Sequence, residues 1–518
     1  MPRPSPAPAT PPADPLVSVV VIAHDDAQRL PRAVGSVLAQ GIDDLQVVVV
    51  DDGSTDGTAE VATSLGRADH RVEVLLRPVC SGRPGPPRNQ GLEAARGRWV
   101  MFLDSDDEHE PGAIGSLLSE AARAEAAGTP VDVVLGRTTR VNPFGVTTST
   151  WMPWLSERPG VTTLAERPEL VGDSLLSHKL VRREVLAGLR FPEDIVYEDV
   201  VFASELSLRS RAVSVTQVPV HRWHIRPHDD DRSITNSRRI AGNLEDRLEA
   251  NLRIGRLVDA TGRRDLRLAR DRKVVDHDLR LVLRDLVDRP ADLQADLAQQ
   301  LRDFLPSLDP AVLASTDQPG ALVLALLQDG PLDRLVDATV LAYRRRLVTP
   351  VDPRPGGGFQ WQGLAGPAGD VSSLVGPLVR DGRVLRHQVT AVAASGPDLL
   401  LRVRTTSVAG PPPRRPLAVA LAERLRRRPA GVSLARGHQR DAAGVDWEAT
   451  LRLGPVLRRI PLHAELALRV LTPTPRGLSP WPLEVAEGLV AGVRVQEAGA
   501  AGMAHPGSMG QLCVRRTA

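Results

Sequence analysis

At residues 99–107 the sequence reads Trp-Val-Met-Phe-Leu-Asp-Ser-Asp-Asp, an apolar run that ends in three carboxylates. A continuous apolar run is typical of a strand buried on both faces of a parallel sheet. In such sheets, ligands bind outside the carboxyl ends of the strands. The sequence therefore predicts that Asp104 and Asp106 lie at a ligand-binding edge, where alternating carboxylates can share a divalent cation. An acidic turn before the next helix is the alternative interpretation.

Three earlier runs, at residues 17–23, 46–50 and 72–76, have the β-branched composition of buried strands. Helical patterns alternate with them, so we expect a parallel α/β sheet. The second run ends in Asp51-Asp52-Gly53-Ser54-Thr55-Asp56-Gly57-Thr58, which places more carboxylates at the predicted edge.

A loop rich in Gly and Pro follows at residues 80–87 and leads into a helix that begins near Arg88-Asn89. Backbone amides at a helix start, together with the Arg88 guanidinium, can bind a diphosphate. The alternative is a surface loop whose glycines serve only turns.

Taken in order, these motifs resemble the family 2 glycosyltransferases, and the resemblance covers about residues 16–235. It implies a Rossmann-like α/β catalytic domain of the glycosyltransferase A fold, a nucleotide-sugar donor, and Mg²⁺ or Mn²⁺ as cofactor. It also implies that Asp51 or Asp52 binds the nucleobase and ribose, that Asp104 binds the ribose or metal, and that Asp106 binds the metal and diphosphate. The remaining donor-binding residues that it implies are Ala23, Arg88, Asn89 and Ser105.

The segment Glu198-Asp199-Val200-Val201-Phe202 resembles the second signature of this family, which implies that Asp199 is the catalytic base, with Glu198 beside it. The alternative is that both acids only favour the positive end of the following helix. Farther on, His221 and His224 lie in a basic-aromatic strand. We take His224 as the candidate third metal ligand, with a packing or hydrogen-bonding role as the alternative for either histidine.

Other nucleotide-binding classes fit the sequence poorly. A dinucleotide-binding dehydrogenase would have Gly-x-Gly-x-x-Gly after its first strand, where this chain has His24-Asp25-Asp26. The chain also has no P-loop lysine motif.

The composition places limits on partners and compartment. A net charge of +2 gives no general attraction to nucleic acid or anionic membranes. The two cysteines cannot form a disulfide framework, and no apolar run is long enough to span a bilayer. These features predict a cytoplasmic protein without a transmembrane segment. Peripheral association with the inner face of the membrane is compatible with the sequence.

A length of 518 residues predicts several domains. Residues 1–15 are expected to be a disordered Pro-rich tail and residues 16–236 the catalytic domain. Leucines spaced four apart predict a helical spacer domain at 237–348, followed by a linker at 349–370. Alternating apolar residues predict an accessory β-sandwich at 371–518, through which the chain could form a homo-oligomer. Some wall-teichoic-acid glycosyltransferases resemble this layout.

The sequence thus predicts a metal-dependent, inverting hexosyl- or N-acetylhexosaminyltransferase. It would move a sugar from a nucleoside-diphosphate donor, most simply a UDP-sugar, to a hydroxyl of a cell-surface polymer or glycan. The alternative is a non-catalytic glycan-binding protein that has kept the fold.

Overall fold

The computed structural model describes residues 14–141, 147–150, 152–225, 242–344, 351–354, 358–375, 384–395, 398–409, 418–423, 429–434, 436–440, 444–453, 465–474, 477–485, 493–497, 500–506 and 512–516. Most of the predicted N-terminal tail and all of residues 226–241 lie outside these ranges. The chain divides into two compact units, Met1–Val282 with Gln299–Ala314 and Leu283–Ala298 with Ser315–Ala518. No helix among the described residues is long and apolar enough to cross a bilayer.

The first unit is built on a ten-stranded sheet. Its strands are β1 (Val17–Ala23), β2 (Leu45–Asp51), β3 (Val72–Leu76), β4 (Trp99–Asp104), β5 (Glu108–His109), β6 (Val133–Val141), β7 (Thr147–Thr150), β8 (Gly160–Thr162), β9 (Lys179–Arg182) and β10 (Val213–His224). Their order is β3-β2-β1-β4-β9-β6-β10-β5, with β7 paired to β6 and β8 to β10. The first four strands in this order are mutually parallel, which confirms the predicted α/β class.

Helices cover both faces of this sheet. They are α1 (Leu30–Leu38), α2 (Thr58–Ala68), α3 (Gly85–Ala94), α4 (Ala113–Ala126) and α5 (Glu198–Arg209). Alternate residues of each central strand enter two separate cores: Val20 and Phe102 pack with α3 and α5, whereas Val21 and Leu103 pack with α1 and α4. Burial on both faces explains why these strands are apolar throughout.

Glycine lets α3 lie close to the sheet. A Cβ atom built on Gly91 would approach the Cγ1 of Val20 to 2.3 Å, so a larger residue would push the helix away from β1. This close packing fixes the position of Arg88, one turn earlier on the same helix.

A helical segment follows the sheet. It comprises α6 (Asn243–Asp259), α7 (Arg264–Lys273), a π-helical turn (Val274–Leu279), α8 (Arg280–Arg284), α9 (Ala291–Phe304), α10 (Pro310–Ala314), α11 (Gly320–Asp329) and α12 (Leu332–Arg344). Ala250 and Ile254 of α6 and Leu266 of α7 belong to the same core as Phe102. The helices that we predicted to form one spacer domain are therefore divided between the two units.

The segment predicted as a linker is folded where the structure describes it. Strands β11 (Val351–Pro353) and β12 (Phe359–Trp361) pair as an antiparallel hairpin, and α13 (Ser372–Val375) follows. The Trp361 side chain is fully buried and stacks under the Arg334 guanidinium of α12 at 5.0 Å. Burial of this large indole stabilises a folded conformation here, although the neighbouring glycines favour a flexible segment.

In the rest of the second unit, the residues that the structure describes lie almost entirely in β strands, as the alternating pattern predicted. Its strands are β13 (Val384–Ser395), β14 (Asp398–Ala409), β15 (Ala418–Glu423), β16 (Pro429–Leu434), β17 (Arg436–Arg440), β18 (Gly444–Arg452), β19 (Glu465–Thr474), β20 (Gly477–Val485), β21 (Val493–Glu497), β22 (Ala500–Pro506) and β23 (Leu512–Arg516). These strands pair antiparallel except for β13 with β20. Trp447, Ala449 and Leu451 are buried, in agreement with the predicted alternation.

Candidate active site

The register of the central strands brings three predicted residues to one edge of the sheet. Ala23 at the end of β1 lies opposite Asp51 of β2, and its neighbour Ile22 lies opposite Asp104 of β4. The Ala23 carbonyl accepts a hydrogen bond from the Asp52 amide at 2.9 Å. Parallel strands end together, so residues distant in sequence share this edge.

A single guanidinium joins this edge to the second acidic motif. Arg88 Nη2 donates to Asp104 Oδ1 at 2.6 Å, and Arg88 Nη1 donates to Glu198 Oε1. Glu198 is only 1% exposed, whereas the Asp104 side chain is 41% exposed. The second oxygen of Glu198, Oε2, has no hydrogen-bond partner in the described part of the chain. Two predicted groups of site residues are therefore neighbours in space.

Asp199 follows Glu198 in the first turn of α5 and is partly exposed. Burial raises the pKa of Asp199; the Asp104 charge also raises it, while the Arg88 and Lys273 charges lower it. One carboxylate oxygen, Oδ1, accepts a hydrogen bond from the Val200 amide at 2.9 Å. A carboxylate with a raised pKa is a better proton acceptor than an ordinary surface aspartate.

The two acids at the end of β2 have different surroundings. Asp52 holds the next loop: its carboxylate accepts hydrogen bonds from the Ser81 amide (3.0 Å) and hydroxyl (2.6 Å) and lies 2.7 Å from Arg77 Nε. Asp51 Oδ2 accepts a hydrogen bond from the Ser54 amide at 3.2 Å. Its other oxygen, Oδ1, is buried and has no hydrogen-bond partner among the described residues. Asp51 is therefore the acid with remaining acceptor capacity.

Asn89 has an internal role in the structure. Its Nδ2 donates to the Phe191 carbonyl (2.9 Å) and to Glu193 Oε1 (2.8 Å), and its Oδ1 accepts from the Phe191 amide (2.8 Å). The side chain thus fastens α3 to the loop that leads to Glu198. This arrangement supports a positioning role for Asn89, while the donor contact stays a prediction.

The Asp104–Asp107 turn is held by residues that the sequence motifs did not reveal. The Ser105 hydroxyl donates to Asp26 Oδ2 at 2.5 Å, so this predicted donor contact is engaged within the protein. Arg32 Nη2 donates to the Asp106 carbonyl at 2.6 Å. Asp26 and Arg32 follow the first strand, and no motif distinguishes them from ordinary loop and helix residues.

His224 lies beside the Asp104–Asp107 turn, where its main-chain amide donates to Asp107 Oδ1 at 2.8 Å and the Asp106 charge acts on its ring. His224 Nε2 lies 2.6 Å from Glu108 Oε2, and burial, together with the Arg32 charge, lowers the pKa of His224. No group of three or more His, Cys, Asp or Glu side chains that could hold a metal ion occurs within the described ranges. Glu108 thus engages the Nε2 of His224 in the described structure, and the role of His224 as the third metal ligand stays a prediction.

The two carboxylates still suit a divalent cation. Asp104 and Asp106 flank Ser105 at the end of β4, and the exposed fraction of Asp104 leaves it open to solvent. Oxygen ligands are those that Mg²⁺ prefers, and this ion is commonly bound by one or two carboxylates plus substrate phosphates. The donor set therefore fits an ion whose other ligands come from a diphosphate.

His221 is part of the protein interior. It is fully buried, and its Nε2 lies 3.0 Å from Asp107 Oδ2. Its Nδ1 lies 3.2 Å from the Thr138 hydroxyl, which in turn lies 3.3 Å from His178. Burial lowers the pKa of His221 to about 4, so the ring is neutral near pH 7. His221 thus has the hydrogen-bonding role that was its alternative interpretation.

Residues 18–190 match the sequence model of the family described as "Glycosyl transferase family 2". Residues 18–190 therefore form a family 2 domain. The family 2 domain contains the strand ends and Arg88, while Glu198 and Asp199 follow shortly after the matched residues.

Several curated proteins resemble part of the chain. Succinoglycan biosynthesis protein ExoO of Rhizobium meliloti is 40% identical over 119 residues, which are 23% of this chain and 32% of that protein. The poly(ribitol-phosphate) beta-glucosyltransferase of Bacillus spizizenii is 27% identical over 205 residues, 39% of this chain and 31% of the relative. The matched segments thus span about a third of these relatives' length.

A solved structure extends the similarity beyond the family 2 domain. S. aureus TarS 1–349 in complex with UDP-GlcNAc superposes with a TM-score of 0.51 at 21% identity, covering 68% of this chain and 97% of that chain. The same fragment in complex with UDP gives a TM-score of 0.50. At this identity the comparison establishes the fold, which is the predicted glycosyltransferase A fold.

Proposed function

We propose that the protein is an inverting glycosyltransferase that moves a sugar from a nucleoside-diphosphate donor, in the first instance a UDP-sugar, to a hydroxyl of a polymer or glycan. The observation that carries this proposal is the Arg88 bridge between Asp104 and Glu198, because Glu198 is the sequence neighbour of the proposed base, Asp199. The family 2 domain supports the reaction class. The names of the TarS complexes and of the poly(ribitol-phosphate) relative support the donor and acceptor classes.

The donor would lie across the ends of β1, β2 and β4. The unpartnered Asp51 Oδ1 offers an acceptor to a ribose hydroxyl or to a nucleobase N–H. Asp104 and Asp106 would hold a Mg²⁺ or Mn²⁺ ion together with diphosphate oxygens. When bound, such an ion neutralises negative charge on the departing nucleoside diphosphate. Arg88 adds positive charge on the same side.

In this reaction, Asp199 removes the proton from the acceptor hydroxyl while the oxygen of that hydroxyl attacks the anomeric carbon of the donor sugar. The bond from that carbon to the diphosphate oxygen breaks, and the diphosphate leaves with the electron pair. Attack from the face opposite the leaving group inverts the configuration. A base on α5 meets this requirement better than one on β4, because it comes from a different element than the proposed metal ligands.

Glu198 has a supporting part in this scheme. Its carboxylate is buried against Arg88, so contact with an acceptor is disfavoured. We infer that Glu198 orients Arg88 and thereby the diphosphate.

The rival is a glycan-binding protein that has no turnover. Labelled UDP-glucose and UDP-GlcNAc should be tested for binding, slow hydrolysis and transfer to polymeric acceptors, with Mg²⁺ or Mn²⁺ present. Release of UDP supports the enzyme. Retained glycan binding without UDP release from any nucleotide sugar would favour the rival.

A further inference from the structure

Helix α6, which follows strand β10 in the chain, contacts the loop that leads to the proposed base. We propose that α6 is a positioning element of the active site and that Asp246 is its principal positioning residue, acting through the main chain that precedes Glu198 and Asp199. This inference rests on the proposed role of Asp199. It differs from the sequence interpretation, which assigned α6 to a spacer domain.

Asp246 joins two segments with one carboxylate oxygen. Its Oδ2 accepts a hydrogen bond from the Val196 amide at 3.0 Å, and Arg83 Nη1 donates to the same oxygen at 2.6 Å. Arg83 lies in the loop before α3, and Val196 lies two residues before Glu198. Asp246 on α6 thus connects the segment that leads into α3 with the segment that leads into α5.

Tyr197 is fixed by the same helix. Its hydroxyl donates to Asn243 Oδ1 at 2.7 Å and accepts a hydrogen bond from Arg247 Nη2 at 2.8 Å. The Arg247 guanidinium also lies 4.2 Å from the centre of the tyrosine ring. Tyr197 occupies the N-cap position of α5, so its placement sets where the first turn of that helix begins.

The buried carboxylate of Asp278 holds Arg247 in position. Asp278, on the π-helical turn, lies 3.5 Å from Arg247 Nη1 and accepts hydrogen bonds from Asn251 Nδ2 (3.3 Å) and Lys273 Nζ (2.8 Å). Because a buried carboxylate must be paired, this arrangement holds Arg247 in one orientation. The positive charge of Lys273 also acts on Asp199.

The apolar side of α6 prevents independent movement. Ala250, Ile254 and Val258 are buried in the core that contains Phe191 and Phe202, on either side of the acidic pair in sequence. A spacer helix would not share a core with the catalytic loop. The contacts therefore make α6 a rigid support for the loop that precedes the proposed base.

The test compares Asp246→Asn and Asp246→Ala with a matched change on the same helix, Asp259→Asn. Asp259 pairs with Arg267 and has no contact with the loop at 193–197 in the described structure. Two readouts are needed: amide hydrogen exchange of residues 194–200, and kcat with donor Kd for UDP-sugar hydrolysis. Hydrogen exchange needs no catalytic activity, so it separates this inference from the proposed function.

We expect faster exchange at residues 194–200 in both Asp246 variants but not in Asp259→Asn. We also expect kcat to fall about 100-fold for Asp246→Ala and about tenfold for Asp246→Asn, with donor Kd little changed, because a small misplacement of a reacting group has large kinetic effects. Asp246→Glu should recover part of the loss. Combining Arg83→Gln with Asp246→Asn should give less than the product of the two single effects, since both remove one ion pair.

Unchanged exchange in Asp246→Asn would overturn the inference whatever the turnover. Faster exchange with an unchanged kcat would also overturn it, because α6 would then have only a stabilising role. If the wild-type protein hydrolyses no nucleotide sugar, the proposed function and the positioning role both fail, while exchange still shows whether α6 holds the loop.

Discussion

The guanidinium of Arg88 lies against the carboxylate of Glu198, a residue 110 positions farther along the chain. The same guanidinium reaches Asp104, at the tip of the central strand β4. One buried cation therefore connects the proposed diphosphate site to the acidic pair. This contact explains why Glu198, at the start of a helix, is buried, whereas the neighbouring Asp199 is partly exposed.

Replacing Asp199 by Asn should remove the proton acceptor and keep the shape. We expect kcat to fall by a factor of about 10² to 10⁴ while UDP affinity stays near that of the wild type. Glu198→Gln, unlike Asp199→Asn, should also raise KM for the donor, because Arg88 loses its charged partner. A dead Glu198→Gln enzyme beside a near-normal Asp199→Asn enzyme would mean that the neighbouring acid is the base.

Asp106→Asn should weaken metal-dependent donor binding. The substitution removes one charge from the proposed ion site with little change in volume, so UDP affinity in Mn²⁺ should approach that measured in EDTA. Titration calorimetry with and without EDTA measures this. The control is Asp43→Asn, an exposed aspartate just before β2, at the opposite edge of the sheet. Equal UDP affinity for wild type and Asp106→Asn under both conditions contradicts the assignment.

Turnover should fall at acid pH as Asp199 takes up a proton, because the protonated acid cannot accept another. Burial raises the pKa of Asp199, so this decline should begin at a higher pH than for an ordinary aspartate. The charge of Lys273 lowers the same pKa. Lys273→Gln should therefore move the acidic limb of the kcat profile to higher pH, whereas Lys273→Arg should not. A shift to lower pH in Lys273→Gln would contradict the assignment of Asp199.

Asn89→Ala should destabilise the protein more than it affects donor binding. The change leaves the Phe191 amide and carbonyl without partners, and each buried unsatisfied group costs about 1–3 kcal/mol. Thermal unfolding and UDP affinity can be measured on the same sample. A large loss of UDP affinity without a lower melting temperature would restore the donor contact predicted from sequence.

The C-terminal β strands should serve acceptor engagement or self-association. A chain that ends at Val375 keeps the hairpin at 351–361, whose Trp361 packs with Arg334, and is preferable to one that ends near Leu347. We expect this shortened protein to hydrolyse the donor normally but to lose transfer to long polymers or to change its mass in solution. Identical polymer transfer and mass for both proteins would leave residues 376–518 with neither role.

The linear order of the residues determined the parallel sheet and its polar edge. The apolar runs at 17–23 and 99–103 can only be satisfied by burial on both faces, and the acids that follow them must then emerge together. Asp51 and Asp104 could therefore be placed at strand ends and Asp199 at a helix start, because these are local features, whereas their roles came from the resemblance to the family.

Only the tertiary structure determined which partners these side chains have. Sequence could not show that Asp52 is engaged by Ser81 and Arg77, that His224 pairs with Glu108, or that α6 supports Val196 and Tyr197. Each of these contacts joins segments far apart along the chain, and a side chain's partner depends on packing that no local pattern encodes. The residues that can act were visible in the sequence, whereas their partners, and hence their charge and freedom to bind, were set by the fold.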